Sequence, residues 1–179
     1  MEITKDNSVL LVIDVQEKLM EKIFNRDEVV ANTCKILDVF KAIGLPVVWT
    51  EQYPKGLGPT VHEVVTRLEG APRAEKVTFD CFRTESFRKA IDATGRKNVI
   101  VAGVEAHICV MQTVKGGSGR YGFYVLADAT GSRCATDAAL GIDRMRELGA
   151  VIGSTEMAIY EILVQAGTPE FKKCLPYLK

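Results

Sequence analysis

Strand-length apolar runs alternate along this chain with longer stretches whose apolar residues recur every three or four positions, and no other feature constrains its fold as tightly. The runs at 9–13, 46–50, 98–102, 122–127 and 150–152 read as strands, and 75–79 reads as a brief strand or extended segment. The longest helical stretch, 28–43, puts Val29, Val30, Thr33, Ile36, Leu37 and Phe40 on one stripe, and Gly44 with Pro46 marks its end. Further helices are expected at 61–68, 86–93, 108–115, 134–148 and 154–164. Near-continuous apolar strands are those covered on both faces, and a helix between successive strands supplies the crossover that parallel pairing needs. The expected fold is therefore one α/β domain over residues 1–179, a Rossmann-like, doubly wound, six-stranded, mainly parallel sheet with helices on both faces.

The composition, 47% apolar and 26% charged, is ordinary for a globular chain that can bury a sizeable core. Lys+Arg and Asp+Glu each number 23, and no basic run is long enough to track a phosphate backbone, so nucleic acid is not an expected partner. The apolar run near the N-terminus is too short to span a bilayer and lacks the basic start and cleavage site of a signal peptide. Those features point to a cytoplasmic protein without a membrane partner. The five cysteines, at 34, 81, 109, 134 and 174, contain no CxxC pair and read as reduced thiols.

In a doubly wound sheet, ligands bind beyond the carboxyl ends of the strands near the point where strand order reverses. That rule selects Asp14 at the end of the first strand, Gln52 and Tyr53 just past the second, and Lys76 on the third segment. It also selects Cys109 after the fourth and Asp128 at the end of the fifth. A thiol in the first turn of a helix is expected to feel the positive end of the helix dipole, and a nearby ammonium would favour the thiolate further. Asp14 would take the thiol proton and return it to a leaving amine. Taken singly, each residue also has a structural reading. Buried cysteine is common core material, a strand-end acid often caps a loop, and lysine in a charged segment is usually solvated. His107 lies two residues before Cys109 and is ranked below Asp14 as a base. Trp49, Tyr53, Leu57 and Phe82 are candidates for an apolar pocket wall, with packing as the alternative.

The order of Asp14 in VLLVIDVQ, Lys76 in EKVTFDCF and Cys109 in VAGVEAHICV resembles the isochorismatase-like cysteine hydrolase superfamily over nearly the whole chain. The strings TEQYPKGLGPTV and GVEAHIC are similar to those of its isochorismatase domain-containing subgroup. The resemblance implies a small-molecule hydrolase in which Cys109 attacks a carbonyl, Asp14 moves the proton and Lys76 holds the charges. It also implies a cis peptide at Val104–Glu105, with the backbone N–H groups of Glu105 and Cys109 forming an oxyanion hole. Gln52, Tyr53, Phe82 and His107 then become substrate-contact candidates, and homo-oligomers, dimers or larger, are implied. Metal-dependent nicotinamidases carry Asp-x-His where this chain has Gln52-Tyr53-Pro54, and the other histidine is His62. No metal or other cofactor is therefore expected, and nicotinamide is disfavoured as a substrate. Isochorismatases share a glutamine at the Gln52 position but cleave a vinyl ether without needing the thiol.

Three readings stand at this point. One is a cysteine hydrolase of an amide, ureido or related carbonyl compound. The second is a vinyl-ether hydrolase with Asp14 as the acid, and the third is a non-enzymatic protein that uses the cleft for binding or assembly.

Overall fold

The structure, a computed structural model, describes residues 1–178. The first half of the chain contains β1 (Ser8–Ile13), α1 (Glu17–Met20), α2 (Arg26–Ala42), β2 (Val47–Gln52), α3 (Pro54–Leu57), α4 (His62–Val65), β3 (Arg73–Lys76) and α5 (Glu85–Ala93). The second half contains β4 (Asn98–Val104), α6 (Met111–Gly117), β5 (Gly122–Gly131), α7 (Ala135–Glu147), β6 (Val151–Gly153), α8 (Thr155–Leu163) and α9 (Pro169–Cys174). A 3-10 turn at Cys81–Arg83 and a π-turn at Ala106–Val110 complete the parts that matter for the site.

The strands form one sheet in the order β3-β2-β1-β4-β5-β6, and every neighbouring pair is parallel. The chain builds outward from β1 to β3 and then returns to the other side of β1. The gap between the carboxyl ends of β1 and β4 is thus the switch point, where ligands bind in folds of this kind.

Strand periodicity divides the core into two layers. Leu10 and Val12 of β1, Ile100 and Ala102 of β4, and Tyr124 and Leu126 of β5 face one side, against Val29, Ile36, Leu37 and Phe40 of α2 and Ile159 and Ile162 of α8. Val9, Leu11 and Ile13, with Val99, Val101, Phe123 and Val125, face the other, against Phe87 and Ile91 of α5, Val114 of α6 and Met145 of α7. Each such side chain taken out of water contributes about 1.5–3 kcal/mol, which is why successive residues of one strand commit to opposite faces. Helix α2 stops where Gly44 takes a φ of 71° and the Leu45 N–H donates to the Phe40 carbonyl at 2.9 Å. Gly103 in β4 is needed for a different reason. At its φ of 130°, an added Cβ would lie 2.1 Å from the Ile13 carbonyl oxygen.

Several boundaries differ from those expected. β2 continues through Gln52, and α3 occupies much of what the prolines and glycines of 51–59 suggested was irregular loop. The third strand, Arg73–Lys76, stops near where the extended segment was expected to begin. β5 runs on to Gly131, and its register against β4 shifts between Val101 and Gly103, so that Ala127 and Asp128 leave the regular pleat. Asp128 does not reach the switch point. Its Oδ1 accepts from the Thr155 N–H and hydroxyl, each at 2.8 Å, at the start of α8.

Candidate active site

Three side chains selected at the strand ends gather at the switch point. Asp14, immediately after β1, takes a φ of 53°, a conformation that aspartate tolerates better than most residues. Its N–H donates to the Thr50 carbonyl at 3.2 Å and its own carbonyl accepts from the Gln16 N–H at 2.7 Å. Its carboxyl group is held at both oxygens: Oδ1 accepts from the Thr50 hydroxyl at 2.7 Å, and Oδ2 accepts from Lys76 Nζ at 2.5 Å. Lys76 Nζ also donates to Gln52 Oε1 at 2.7 Å, and Gln52 Nε2 donates to the Val77 carbonyl at 2.9 Å. The side chains of Asp14 and Lys76 are both 0% exposed. An ion pair buried so deeply adds little net stability over apolar residues of the same volume, so its presence points to chemistry.

Cys109 faces this pair from across the switch point. It sits in the π-turn after β4, where the Glu105 carbonyl accepts from the N–H groups of Ile108 at 3.0 Å and Val110 at 3.2 Å. The Val104–Glu105 peptide is cis, as the resemblance implied. The Glu105 N–H has no backbone carbonyl partner among the described residues.

The electrostatics correct one expectation. Burial pushes the Cys109 thiol up, and the negative charge and hydrogen bonding of Asp14 push it further, against the opposing pull of Lys76. Loss of hydration and the adjacent carboxylate thus push the thiol up where a lowered value was expected, with the ammonium pulling the other way. Burial acts to lower Lys76, but Asp14 with the Cys81 and Cys109 sulfurs more than offsets it, so the amine titrates above its usual value.

The other candidates fall in different places. Gln52 is buried and belongs to the cluster through Lys76. Tyr53 is 54% exposed at the mouth of a cleft of about 500 Å³, whose walls include Pro54, Lys76, Val77, Arg83 and Thr84. Phe82 is turned away. Its ring stacks on Tyr121 and meets Phe87 and Phe123 edge-on, and Phe123 pairs with Val99 near the opposite end of the sheet. Trp49 is likewise core, with Nε1 donating to the Ala71 carbonyl at 3.1 Å, and Leu57 is half-buried on α3. His107 points to the segment after β5, where Nδ1 lies 3.0 Å from the Ser132 hydroxyl and Nε2 lies 3.8 Å from Asp137. It is outside the Asp14–Lys76 hydrogen-bond network. The Glu105 side chain is 10% exposed and accepts from Arg133 Nε at 2.9 Å. His62 is exposed on α4.

Sequence reasoning missed Thr50, although the strand-end rule that selected Gln52 would have reached it as well. It also missed Gln16, whose side-chain Nε2 donates to the Gln52 and Gly58 carbonyls at 3.0 and 2.8 Å and whose Oε1 accepts from the Gln52 N–H at 2.7 Å. Arg133 and Ser132 carried no motif signal.

Comparison with known proteins agrees with this fold. Residues 8–157 match the family described as the isochorismatase domain. Isochorismatase domain-containing protein 2 of Danio rerio is 36% identical over 168 residues, which cover 93% of this chain and 84% of that one. The MAR1 ribonuclease structure from Caenorhabditis elegans superposes with a TM-score of 0.93 at 31% identity, over 99% of this chain and 92% of that one. The YcaC gene product of Escherichia coli, described as an octameric hydrolase of unknown specificity, gives a TM-score of 0.89 at 24% identity, over 99% and 93% of the two chains.

Proposed function

This chain belongs to the isochorismatase family of hydrolases, and on that footing we propose that it cleaves a small amide, ureido or related carbonyl compound through a covalent Cys109 acyl intermediate. One observation carries the reading: a fully buried Lys76–Asp14 pair with Nζ and Oδ2 at 2.5 Å, whose carboxylate pushes the Cys109 thiol up. As Sγ attacks the carbonyl carbon, its proton passes to Asp14, and the carbonyl oxygen gains negative charge. The N–H groups of Glu105 and Cys109 receive that charge, an interaction whose loss typically costs a hundredfold or more in rate. Asp14 returns the proton to the leaving amine as the C–N bond breaks. Water then attacks the acyl-sulfur bond, giving its proton to Asp14, which hands it on to the departing sulfur. Lys76 keeps the carboxylate charged while the thiol is neutral and balances it whenever sulfur carries the charge.

The upward push on the thiol supports this division of labour, because a nucleophile held above its ordinary pKa needs an adjacent base. A vinyl-ether hydrolase would use Asp14 alone and give Cys109 no task. The nematode relative is named a ribonuclease, whereas this chain balances 23 basic against 23 acidic residues and does not favour a polyanionic substrate. Next to the cleft, Val77 is 75% and Phe79 51% exposed, and the proposal extends to a homo-oligomer that covers them. The test is mass spectrometry of the protein quenched during turnover of p-nitrophenyl acetate. A 42 Da acetyl adduct on Cys109 (, about one acetyl group) supports the covalent route. Steady turnover with no adduct, undiminished in Cys109→Ala, sinks it.

A further inference from the structure

The turn that carries both the cis peptide and Cys109 is gripped from one side by the segment that follows β5. Three contacts make the grip. Arg133 Nε donates to Glu105 Oε2 at 2.9 Å, and the Glu105 side chain is 10% exposed while that of Arg133 is 59% exposed. One residue earlier, the hydroxyl of fully buried Ser132 lies 3.0 Å from His107 Nδ1. On α7, Gly141 packs so closely that an added Cβ would lie 2.8 Å from both the Ala106 carbonyl carbon and the His107 nitrogen. Glu105 sits in the middle of this grip. Its carboxylate faces Arg133, its carbonyl closes the π-turn, and its N–H has no backbone acceptor among the described residues.

An acidic side chain beside a developing oxyanion opposes catalysis unless its charge is engaged elsewhere. A guanidinium that binds it directly both neutralises the carboxylate and fixes the direction in which the residue leaves the backbone. We infer that Arg133 is a positioning residue for hydrolysis at Cys109: through Glu105 it aims the Glu105 N–H at the oxygen of the reacting carbonyl. Arg133 touches neither the substrate nor the sulfur in this role. The inference rests on the acyl-transfer reading above and assigns to the Glu105–Arg133 pair a function beyond the Asp14–Lys76–Cys109 trio.

Two reagents separate the oxyanion from the thiol. Acylation by p-nitrophenyl acetate forms an Sγ–C bond and builds charge on the ester oxygen before p-nitrophenolate leaves. Alkylation by iodoacetamide displaces iodide at a saturated carbon and builds none. In Arg133→Ala, the rate of the p-nitrophenolate burst should fall on the order of tenfold or more, because small misplacements of a positioned group are costly. The iodoacetamide rate at Cys109 and its pH profile should stay within about twofold of wild type, since the oxyanion donors take no part in that reaction. Arg133→Lys should recover part of the burst rate, and Arg133→Ala combined with Glu105→Ala should lose no more than either alone. A burst unchanged in Arg133→Ala, or burst and alkylation falling together, overturns the inference while leaving the covalent route intact. Absence of any Cys109-dependent burst in the wild-type protein overturns both.

Discussion

Two cysteines, Cys81 and Cys109, share the same cation and the same buried face of the sheet, yet they are not equivalent. Both thiols are pushed up chiefly by burial, Cys81 to about 12, and Lys76 pulls both down. Their other neighbours differ. Cys81 has no exposed surface, its N–H donates to the Thr113 hydroxyl at 3.1 Å, and its sulfur sees the hydroxyls of Thr113 and Thr50. Cys109 retains 6% exposure and has the charge of Asp14 as a neighbour. A hydroxyl cannot accept a thiol proton and hold it at neutral pH, whereas a carboxylate can. On the proposed route, proximity to a cation alone would not make a nucleophile, whereas a proton acceptor and a route to solvent would.

The largest expected effect tests that contrast directly. Cys109→Ala should reduce p-nitrophenyl acetate turnover by about a thousandfold or more, to near the background reaction, as removal of a nucleophile usually does. Turnover within tenfold of wild type would erase the distinction between the two thiols. Asp14→Asn should reduce turnover by about a hundredfold or more through loss of the base, and it should also accelerate alkylation of Cys109 by iodoacetamide at pH 8. The sign follows from the charges: an adjacent anion holds the thiol up, so removing it lowers the thiol pKa and leaves more thiolate at a given pH. Lys76→Ala should do the reverse and slow alkylation, and a common direction for both variants would contradict the charge assignment. Gln52→Ala removes one acceptor from a buried ammonium and should cost about 1.5–3 kcal/mol in urea unfolding, the usual value of a hydrogen bond to a charged group. Cys81→Ala should leave turnover within about threefold and cost about 1 kcal/mol of stability, the scale of a small core truncation. A turnover loss comparable to that of Asp14→Asn would instead make Cys81 part of the machinery.

How much of this was legible in the sequence depends on the kind of signal each residue leaves. The runs at 9–13 and 98–102 were plain because both faces of those strands are covered and nothing polar interrupts them. Asp14, Gln52, Lys76 and Cys109 were legible because a strand's carboxyl end is a fixed address. The direction of a side chain beyond that address was not. Asp128 and His107 lie close in sequence to strand ends, but a register shift sends the first to α8 and the π-turn sends the second to Ser132. The upward push on the thiol was not legible for a related reason: the helix dipole is readable from position, whereas the depth of burial and the nearness of Asp14's charge are tertiary facts. Arg133 left no trace, since an arginine after a strand looks solvated until its partner is seen.

At Gly103, the backbone of β4 comes so close to β1 that even a methyl group would meet Ile13. That contact lies one residue before Asp14 on one strand and two before Glu105 on the other, so the spacing of base and turn is written into main-chain packing and owes little to any rim side chain.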